Sequence, residues 1–170
     1  IVATEDSRFF SHNGFDLPRF MKASVGQVMG NSNAGGASTL TMQISKNAFT
    51  STESNGIEGI MRKFTDIYIS VFKIEKKYTK FEILEFYANT NYLGSGAWGV
   101  EQASQVYFGK SAKDMNLAEA ATIAGLFNAP NALDPYINPE GANARKNVVL
   151  YLMERHGYIS EEEKQLATDI

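Results

Sequence analysis

The clearest structural signal in this chain is Gly59-Ile60-Met61-Arg62-Lys63-Phe64-Thr65-Asp66-Ile67-Tyr68-Ile69-Ser70-Val71-Phe72-Lys73-Ile74. Its apolar positions recur every three or four residues, the period of an amphipathic helix; they are Ile60, Phe64, Ile67, Val71 and Ile74. Arg62 and Asp66 lie one helical turn apart. They either pair on the surface, which stabilises a helix by roughly 0.2–0.5 kcal/mol, or place a guanidinium and a carboxylate beside one ligand. The spacing alone favours neither interpretation.

Helical patterns continue through most of the chain. This first signal predicts a helix near 60–78, and similar periodicity predicts others near 79–90, 100–107, 116–128, 140–156 and 160–168. Capping boxes begin at Thr79, Asn116 and Ser160, each followed three residues later by a glutamate. Gly157 is a natural stop for the helix before it. Strand-like alternation is absent, so the predicted fold class is mostly α with few or no strands. The Gly/Asn/Ser-rich segments near 30–37 and 50–59 are predicted to be loops.

The chain opens with a pair of carboxylates beside aromatic rings, in the sequence Ala3-Thr4-Glu5-Asp6-Ser7-Arg8-Phe9-Phe10-Ser11-His12-Asn13-Gly14. Burial against Phe9 and Phe10 would raise the pKa of Glu5, whereas a nearby cation would hold Asp6 ionised. Two neighbouring carboxylates could then take different roles in proton transfer. The alternative is that an acidic pair at this position only decorates the start of a helix.

A glycine-rich turn leads into a helix at Gly35-Gly36-Ala37-Ser38-Thr39-Leu40-Thr41-Met42-Gln43-Ile44-Ser45-Lys46-Asn47, with Ser38 as the predicted N-cap. Thr39, Gln43 and Lys46 then fall on one face of the helix. A hydroxyl, an amide and an ammonium beside the free N–H groups of a helix start suit a phosphate or pyrophosphate ligand. An ordinary amphipathic helix with a solvated polar face explains the same pattern.

The bulk composition limits the classes of function. At 170 residues with 44% hydrophobic residues, the chain has the size of one domain and can bury a core. Its net charge of −3 provides no basic field for nucleic acid. It has no cysteine and only two histidines, so neither a disulfide framework nor a zinc-type ligand set is predicted.

The sequence also bears on contact with a membrane. It contains no run of about 20 apolar residues, the length that crosses a bilayer, and no signal peptide. The segment 15–29 is apolar and carries few charges. It is either a core helix or a surface that lies against the bilayer.

The order of these blocks resembles the peptidoglycan glycosyltransferase family, the lipid II polymerases that occur alone or at the front of bifunctional penicillin-binding proteins. The resemblance covers nearly the whole chain. Its blocks are Glu5-Asp6-x-x-Phe9-x-x-His12-x-Gly14, Gly36-Ala37-Ser38-Thr39-x-x-x-Gln43 with Lys46-Asn47, Arg62-Lys63, Lys80-x-x-Ile83-Leu84-Glu85-x-Tyr87-x-Asn89, Tyr92-Leu93-Gly94-Ser95-Gly96-Ala97-Trp98-Gly99-Val100, Tyr107-Phe108-Gly109-Lys110, Leu117-Ala118-Glu119-Ala120-Ala121 and Ala129-Pro130. It implies a mostly helical, lysozyme-like domain over residues 1–170, excised from a longer membrane-anchored chain.

The resemblance implies roles for individual residues. Glu5 matches the catalytic glutamate, which takes the proton from the 4-hydroxyl of the acceptor sugar as that oxygen attacks the anomeric carbon of the donor. Asp66 is implied to be a second catalytic residue that supports the leaving pyrophosphate. Positions around the donor's pyrophosphate and the nearby sugars are implied for Asp6, Ser38, Gln43, Lys46, Arg62 and Lys63. His12 is better explained as a packing or hydrogen-bonding residue.

Several positions depart from the family's pattern. Asp66 stands where the family has a glutamate, and its side chain is shorter by one methylene. Met42-Gln43 replaces a pair of glutamines, and Glu58 stands about where an arginine is often found. If Asp66 serves the pyrophosphate region, Asp66→Glu is expected to match or exceed the parent rate, because it restores the reach of the family's residue.

The activity implied by the resemblance is polymerisation of lipid II into β-1,4-linked glycan strands, with inversion and release of undecaprenyl pyrophosphate. No cofactor is required, and a divalent ion such as Mg²⁺ or Mn²⁺ at the pyrophosphate is compatible with this reaction. Two alternatives stay open. One is a catalytically weakened module that binds lipid II, and the other, less favoured, is a lysozyme-like glycan hydrolase that uses two carboxylates.

The resemblance also implies partners and a location. The partners are lipid II, the growing glycan strand and the membrane surface, together with a transpeptidase domain or cell-wall synthesis proteins; nucleic acid is not among them. The location is the outer face of the bacterial cytoplasmic membrane, reached through an anchor outside this chain.

Overall fold

The computed structural model describes residues 1–29, 36–49 and 56–170, and within these ranges the chain is mostly helical and forms no sheet. This architecture confirms the predicted fold class. Residues 30–35 and 50–55, which belong to the two predicted loops, lie outside the described residues. The chain divides into a larger unit, Ile1–Ser7 with Phe86–Ile170, and a smaller unit, Arg8–Glu85.

The described residues form a series of α-helices. In chain order they are α1 Val2–Glu5, α2 Leu17–Val28, α3 Leu40–Phe49, α4 Gly56–Ile69, α5 Glu75–Lys77, α6 Lys80–Thr90, α7 Val100–Phe108, α8 Leu117–Leu126, α9 Pro139–Arg155 and α10 Glu161–Thr168. Between them lie 3₁₀ turns at Phe9–Ser11 and Ala112–Asp114, and a π-helical turn at Ser70–Ile74 that continues α4 into α5. An isolated antiparallel bridge joins Tyr92 and Trp98.

The ends of the helices follow the signals in the sequence. Complete capping boxes start α8 at Asn116 and α10 at Ser160, and the Thr79 N–H donates to the Glu82 carboxylate at 2.7 Å before α6. Gly157 follows the end of α9 with a φ of +75°. These predictions are confirmed. Helix α4 begins earlier than predicted, at Gly56, so residues 56–59 are helical rather than part of a loop.

Gly14 and Thr39 organise the smaller unit. Gly14 has a φ of +88°, and a Cβ on it would lie 2.9 Å from the Ser70 carbonyl carbon, so no side chain fits there. The Thr39 hydroxyl donates to the Gly14 carbonyl at 2.7 Å and accepts from the Met42 N–H at 3.2 Å. Thr39 therefore caps α3, and the prediction that Ser38 is the N-cap was wrong, because the helix begins one residue later than expected.

Among the described residues, the larger unit contains two hydrophobic core clusters. The first packs α8, α9 and α10 together through Ala118, Ala121, Ala124, Val149, Leu150 and Ala167, and Ile1 packs against it. The second consists of Leu93, Ala97, Ala103, Ile123 and Leu126. Because α9 is anchored by the first cluster and contacts α1, it gives the end of α1 a firm support.

The smaller unit exposes much of its apolar surface. Leu17, Met21 and Val25 of α2, and Met29 just after it, are each more than half exposed, which contradicts the core-helix interpretation of segment 15–29 for these residues. On α4, Ile60 and Phe64 are exposed as well, whereas Asp66, on the opposite side, is buried. Within the described part of the chain, no helix has both the length and the apolar character needed to cross a bilayer.

Candidate active site

Glu5 and Asp6 end the short helix α1 in the larger unit. Asp6 is fully buried, whereas the Glu5 side chain keeps 15% of its surface exposed. Tyr87 of α6 is 1% exposed, and burial together with the negative charge of Glu5 raises the pKa of Tyr87 well above its ordinary value. Tyr87 therefore stays a neutral phenol, and Glu5 is the better suited of the two to accept a proton.

Arg145 of α9 supplies a positive charge to this place. Its Nη2 lies 3.8 Å from Glu5 Oε1, and the Arg145 side chain is 22% exposed. Its Nε is buried and has no hydrogen-bond partner. Gly125 of α8 makes room for the arginine stem, since a Cβ on Gly125 would lie 2.8 Å from Arg145 Cγ. The packing of α8 on α9 thus presents the guanidinium to Glu5.

His12 has a structural environment in the smaller unit. It is 8% exposed, and its Nδ1 accepts a hydrogen bond from the Gly14 N–H at 3.1 Å. Its ring meets the Phe9 ring edge-on, with centroids 6.1 Å apart. These contacts agree with the packing and hydrogen-bonding role expected from the sequence.

Lys63 is the centre of a cation cluster in the smaller unit. Its ammonium donates to the Ser38 hydroxyl at 2.7 Å, which joins α4 to the residue before the α3 cap. Burial lowers the pKa of Lys63, and the negative charge of Asp66 opposes this change. Further lowering comes from the charges of its neighbours Arg62, Lys46 and Arg19. Several cations therefore share a small volume, the condition in which an anionic ligand is strongly favoured.

Asp66 of α4 is buried and hydrogen-bonded to a residue of α3. It is 4% exposed, and Ser45 of α3 is fully buried beside it. The Ser45 hydroxyl donates to Asp66 Oδ1 at 3.1 Å. The Asp66 carboxylate therefore lies inside the smaller unit and not on a solvated face of α4, which contradicts the surface location in one of the two interpretations of Arg62 and Asp66.

The predicted polar stripe on α3 is shorter than expected. Thr39 is buried and holds the Gly14 carbonyl, so it is not available to a ligand. Gln43 is half-buried and Lys46 is exposed, and Lys46 is close enough to Lys63 to lower its pKa. Gln43 and Lys46 are the remaining members of the stripe.

The comparison with known proteins assigns the chain to a family. Residues 1–154 match the transglycosylase family. The chain belongs to this family. Penicillin-binding protein 1A of Streptococcus oralis is 40% identical over 98% of this chain and 26% of its own length, and that of Vibrio cholerae is 42% identical over 98% of this chain and 20% of its own length. The class expected from the sequence, a glycosyltransferase, is confirmed.

A solved structure agrees with this assignment. The crystal structure of penicillin-binding protein 1A from Haemophilus influenzae matches with a TM-score of 0.52 and 43% identity, over 54% of this chain and 14% of that one. The transglycosylase chain described here thus spans only about a fifth to a quarter of the length of the curated relatives quoted above.

The described residues of this transglycosylase chain include no protein cage for a metal ion. Among residues 1–29, 36–49 and 56–170, no three histidines, cysteines, aspartates or glutamates are grouped to hold one. Asp66 is a single carboxylate that accepts a hydrogen bond from the Ser45 hydroxyl and interacts with the charge of Lys63, a poor donor set for a divalent ion held by protein alone.

Sequence reasoning did not find Arg145 beside Glu5 in the larger unit, or Arg19 and Ser45 beside the predicted residues of the smaller unit. In the sequence, the helix that contains Arg145 is identified by its apolar period. The adjacent cation Lys146 is the only signal that marks Arg145. Arg19 lies in the apolar segment 15–29, where it is one of few charges. Ser45 lies off the predicted polar stripe of α3, and nothing in the spacing indicates that it meets α4.

Proposed function

We propose that this chain is a peptidoglycan glycosyltransferase that polymerises lipid II into β-1,4-linked glycan strands. The observation that carries the proposal is the cluster of Arg19, Lys46 and Arg62 around Lys63. A lipid-linked sugar pyrophosphate has an anionic leaving group that such a cluster can hold. A glycan hydrolase acts on a bond whose leaving group is a neutral sugar, and it needs no such cluster. Membership in the transglycosylase family supports the same choice.

In the proposed reaction Glu5 is the general base. It removes the proton from the 4-hydroxyl of the acceptor sugar as that oxygen attacks the anomeric carbon of the donor. The bond between this carbon and the pyrophosphate oxygen breaks, and the electron pair leaves with undecaprenyl pyrophosphate. Attack from the opposite face inverts the α-linked donor to a β-1,4 link. Arg145 favours the ionised Glu5 that can accept the proton.

The cations of the smaller unit act on the leaving group. Lys63 and its neighbours stabilise negative charge that grows on the pyrophosphate oxygen as the bond breaks. Ser38 and Gln43 provide neutral polar groups for the pyrophosphate and adjacent sugars, and the negative charge of Asp66 opposes the lowering of the Lys63 pKa. Asp6, which is fully buried, supports the end of α1 rather than touching the phosphate.

The exposed apolar surface of α2 and α4 suits a substrate with a polyprenyl tail. Leu17, Met21 and Val25 are separated by single helical turns and are all exposed, which is the pattern of a helix that lies in the membrane interface. The proposed place of action is the outer face of the bacterial cytoplasmic membrane. The growing glycan strand and, in the whole protein, a transpeptidase domain or other cell-wall synthesis proteins are the proposed partners.

One assay tests the proposal directly. Lipid II in detergent or vesicles is incubated with the chain, and the products are separated by size. We expect polymer from the parent and a loss of about 10²- to 10⁴-fold in rate from Glu5→Gln, because the amide cannot accept the proton. Glu162→Gln, at an exposed carboxylate in the first turn of α10, is the matched control and should keep the parent rate.

Other outcomes point to other functions. Bound but unchanged lipid II would indicate the catalytically weakened binding module, and digestion of finished glycan would indicate a hydrolase. More than a tenth of the parent rate in Glu5→Gln would remove Glu5 as the base.

A further inference from the structure

The hydrogen bond between Ser45 and Asp66 joins two helices at a buried point of the smaller unit. Ser45 lies on α3 and Asp66 on α4, their oxygens are 3.1 Å apart, and the two residues are 0% and 4% exposed. A buried carboxylate is costly unless its oxygens are hydrogen-bonded. The serine hydroxyl satisfies one of them and fixes the rotation of the carboxylate.

Asp66 in turn acts on Lys63. The two residues are three positions apart on α4, so their side chains lie over the same turn of the helix. The Lys63 ammonium is itself directed by its hydrogen bond to Ser38 at 2.7 Å. Lys63 also faces the positive charges of Arg62, Lys46 and Arg19, all of which disfavour its charged form, whereas Asp66 favours it.

We propose that Ser45 and Asp66 are a positioning pair: Ser45 fixes the Asp66 carboxylate one helical turn from Lys63, and the fixed negative charge favours the ammonium form of Lys63 that binds the anionic ligand. This inference rests on the proposed function for the identity of the anion, a pyrophosphate diester. Ser45 itself touches no ligand and acts through Asp66.

The pair changes what is expected from a longer side chain at position 66. The sequence favoured Asp66→Glu as a neutral or improving change. In the structure, the carboxylate already reaches the hydroxyl of a fully buried serine, so an extra methylene must displace Ser45 or turn the carboxylate away. Glutamate therefore fits only when the serine hydroxyl is removed, because a hydroxyl and a methylene have similar volume.

The experiment is a double-mutant cycle with Ser45→Ala, Asp66→Glu and the combined variant, all in the full chain. Binding is measured by calorimetry with the dimethyl diester of pyrophosphate, and lipid II polymerisation gives kcat/KM. We expect each single change to weaken anion binding and kcat/KM by about tenfold, and the combined variant to return to within about threefold of the parent.

Ser104→Ala is the matched control for the loss of a buried hydroxyl. Ser104 is buried in the larger unit, with 0% of its surface exposed. Its hydroxyl donates to the Lys110 carbonyl at 2.8 Å. Ser104→Ala should lower the melting temperature about as much as Ser45→Ala does, and it should leave the anion affinity unchanged.

Three results would overturn the inference. The first is that Ser45→Ala binds the anion as tightly as Ser104→Ala does. The second is that Asp66→Glu binds it as tightly as the parent. The third is that the losses of affinity in the two single variants add in the combined variant. If the parent binds the diester with this coupling but forms no polymer, the proposed function fails and the positioning pair stands.

Discussion

Arg145 Nη2 lies 3.8 Å from Glu5 Oε1, so the proposed base is tied to helix α9 by a charge contact. Both side chains are mostly buried, which reduces the screening of their interaction by solvent. A cation in this position favours the ionised carboxylate and restricts its direction. The contact therefore bears on the rate of proton transfer more than on substrate affinity.

Replacing Arg145 tests this relationship. Arg145→Ala is expected to lower kcat by roughly tenfold to a hundredfold with little change in KM, because a misdirected base weakens the transition state and not the bound substrate. Arg145→Lys keeps the charge but lacks the reach and direction of the guanidinium, so it should fall between alanine and the parent. Steady-state kinetics with lipid II measures both constants.

Two further variants separate position from charge. Gly125→Ala should displace the Arg145 stem, since the new Cβ would lie 2.8 Å from its Cγ, and should lower kcat without removing any charge. Arg155→Ala, at the exposed end of α9, should be neutral. An unchanged kcat in Arg145→Ala would show that Glu5 does not depend on this contact.

The helices could be predicted from sequence because their signals are local. The Asn116 and Ser160 capping boxes depend on residues three positions apart, and the stop at Gly157 depends on one positive φ. The start of α3 was misplaced by one residue because Ser38 and Thr39 are both good caps. Only the contact between Thr39 and the distant Gly14 carbonyl decides between them.

The functional residues of each unit were less predictable, because their decisive contacts join segments that are distant in sequence. The period of α4 identifies an apolar and a polar side but does not say which one faces the interior, and here Asp66 is buried while Phe64 is exposed. The pairing of Ser45 with Asp66 depends on how α3 and α4 pack. Arg145 reaches Glu5 through the gap at Gly125, which no sequence spacing reveals.

The pH dependence of anion binding tests the charge on Lys63. Burial lowers the pKa of Lys63, Asp66 opposes this change, and Arg62, Lys46 and Arg19 reinforce it. The ammonium therefore loses its proton at a lower pH than an ordinary lysine does. Affinity for the dimethyl diester of pyrophosphate should fall by roughly tenfold or more as the pH rises through that pKa, since a charge-assisted hydrogen bond is lost.

Variants assign this decrease to a residue. Asp66→Asn removes the opposing charge, so the loss of affinity should move to lower pH. Lys63→Arg should abolish the loss over the same range, because a guanidinium stays protonated. Lys73→Arg, at an exposed position, should leave the curve as in the parent. A curve that is the same in the parent and Lys63→Arg would remove Lys63 from the anion site.

The exposed stripe on α2 is expected to bind membranes. Met21 and Val25 are 55% and 52% exposed, so Met21→Ser with Val25→Ser should change stability little. Burial of each side chain in the membrane interface contributes about 1.5–3 kcal/mol when complete, so the double variant should bind phosphatidylglycerol vesicles at least about tenfold more weakly. Ile137→Ser, at an exposed apolar residue of the larger unit, is the control and should bind like the parent. Equal vesicle sedimentation of the double variant and the parent would show that α2 does not contact lipid, whereas a parallel loss in Ile137→Ser would indicate nonspecific adsorption of apolar surface.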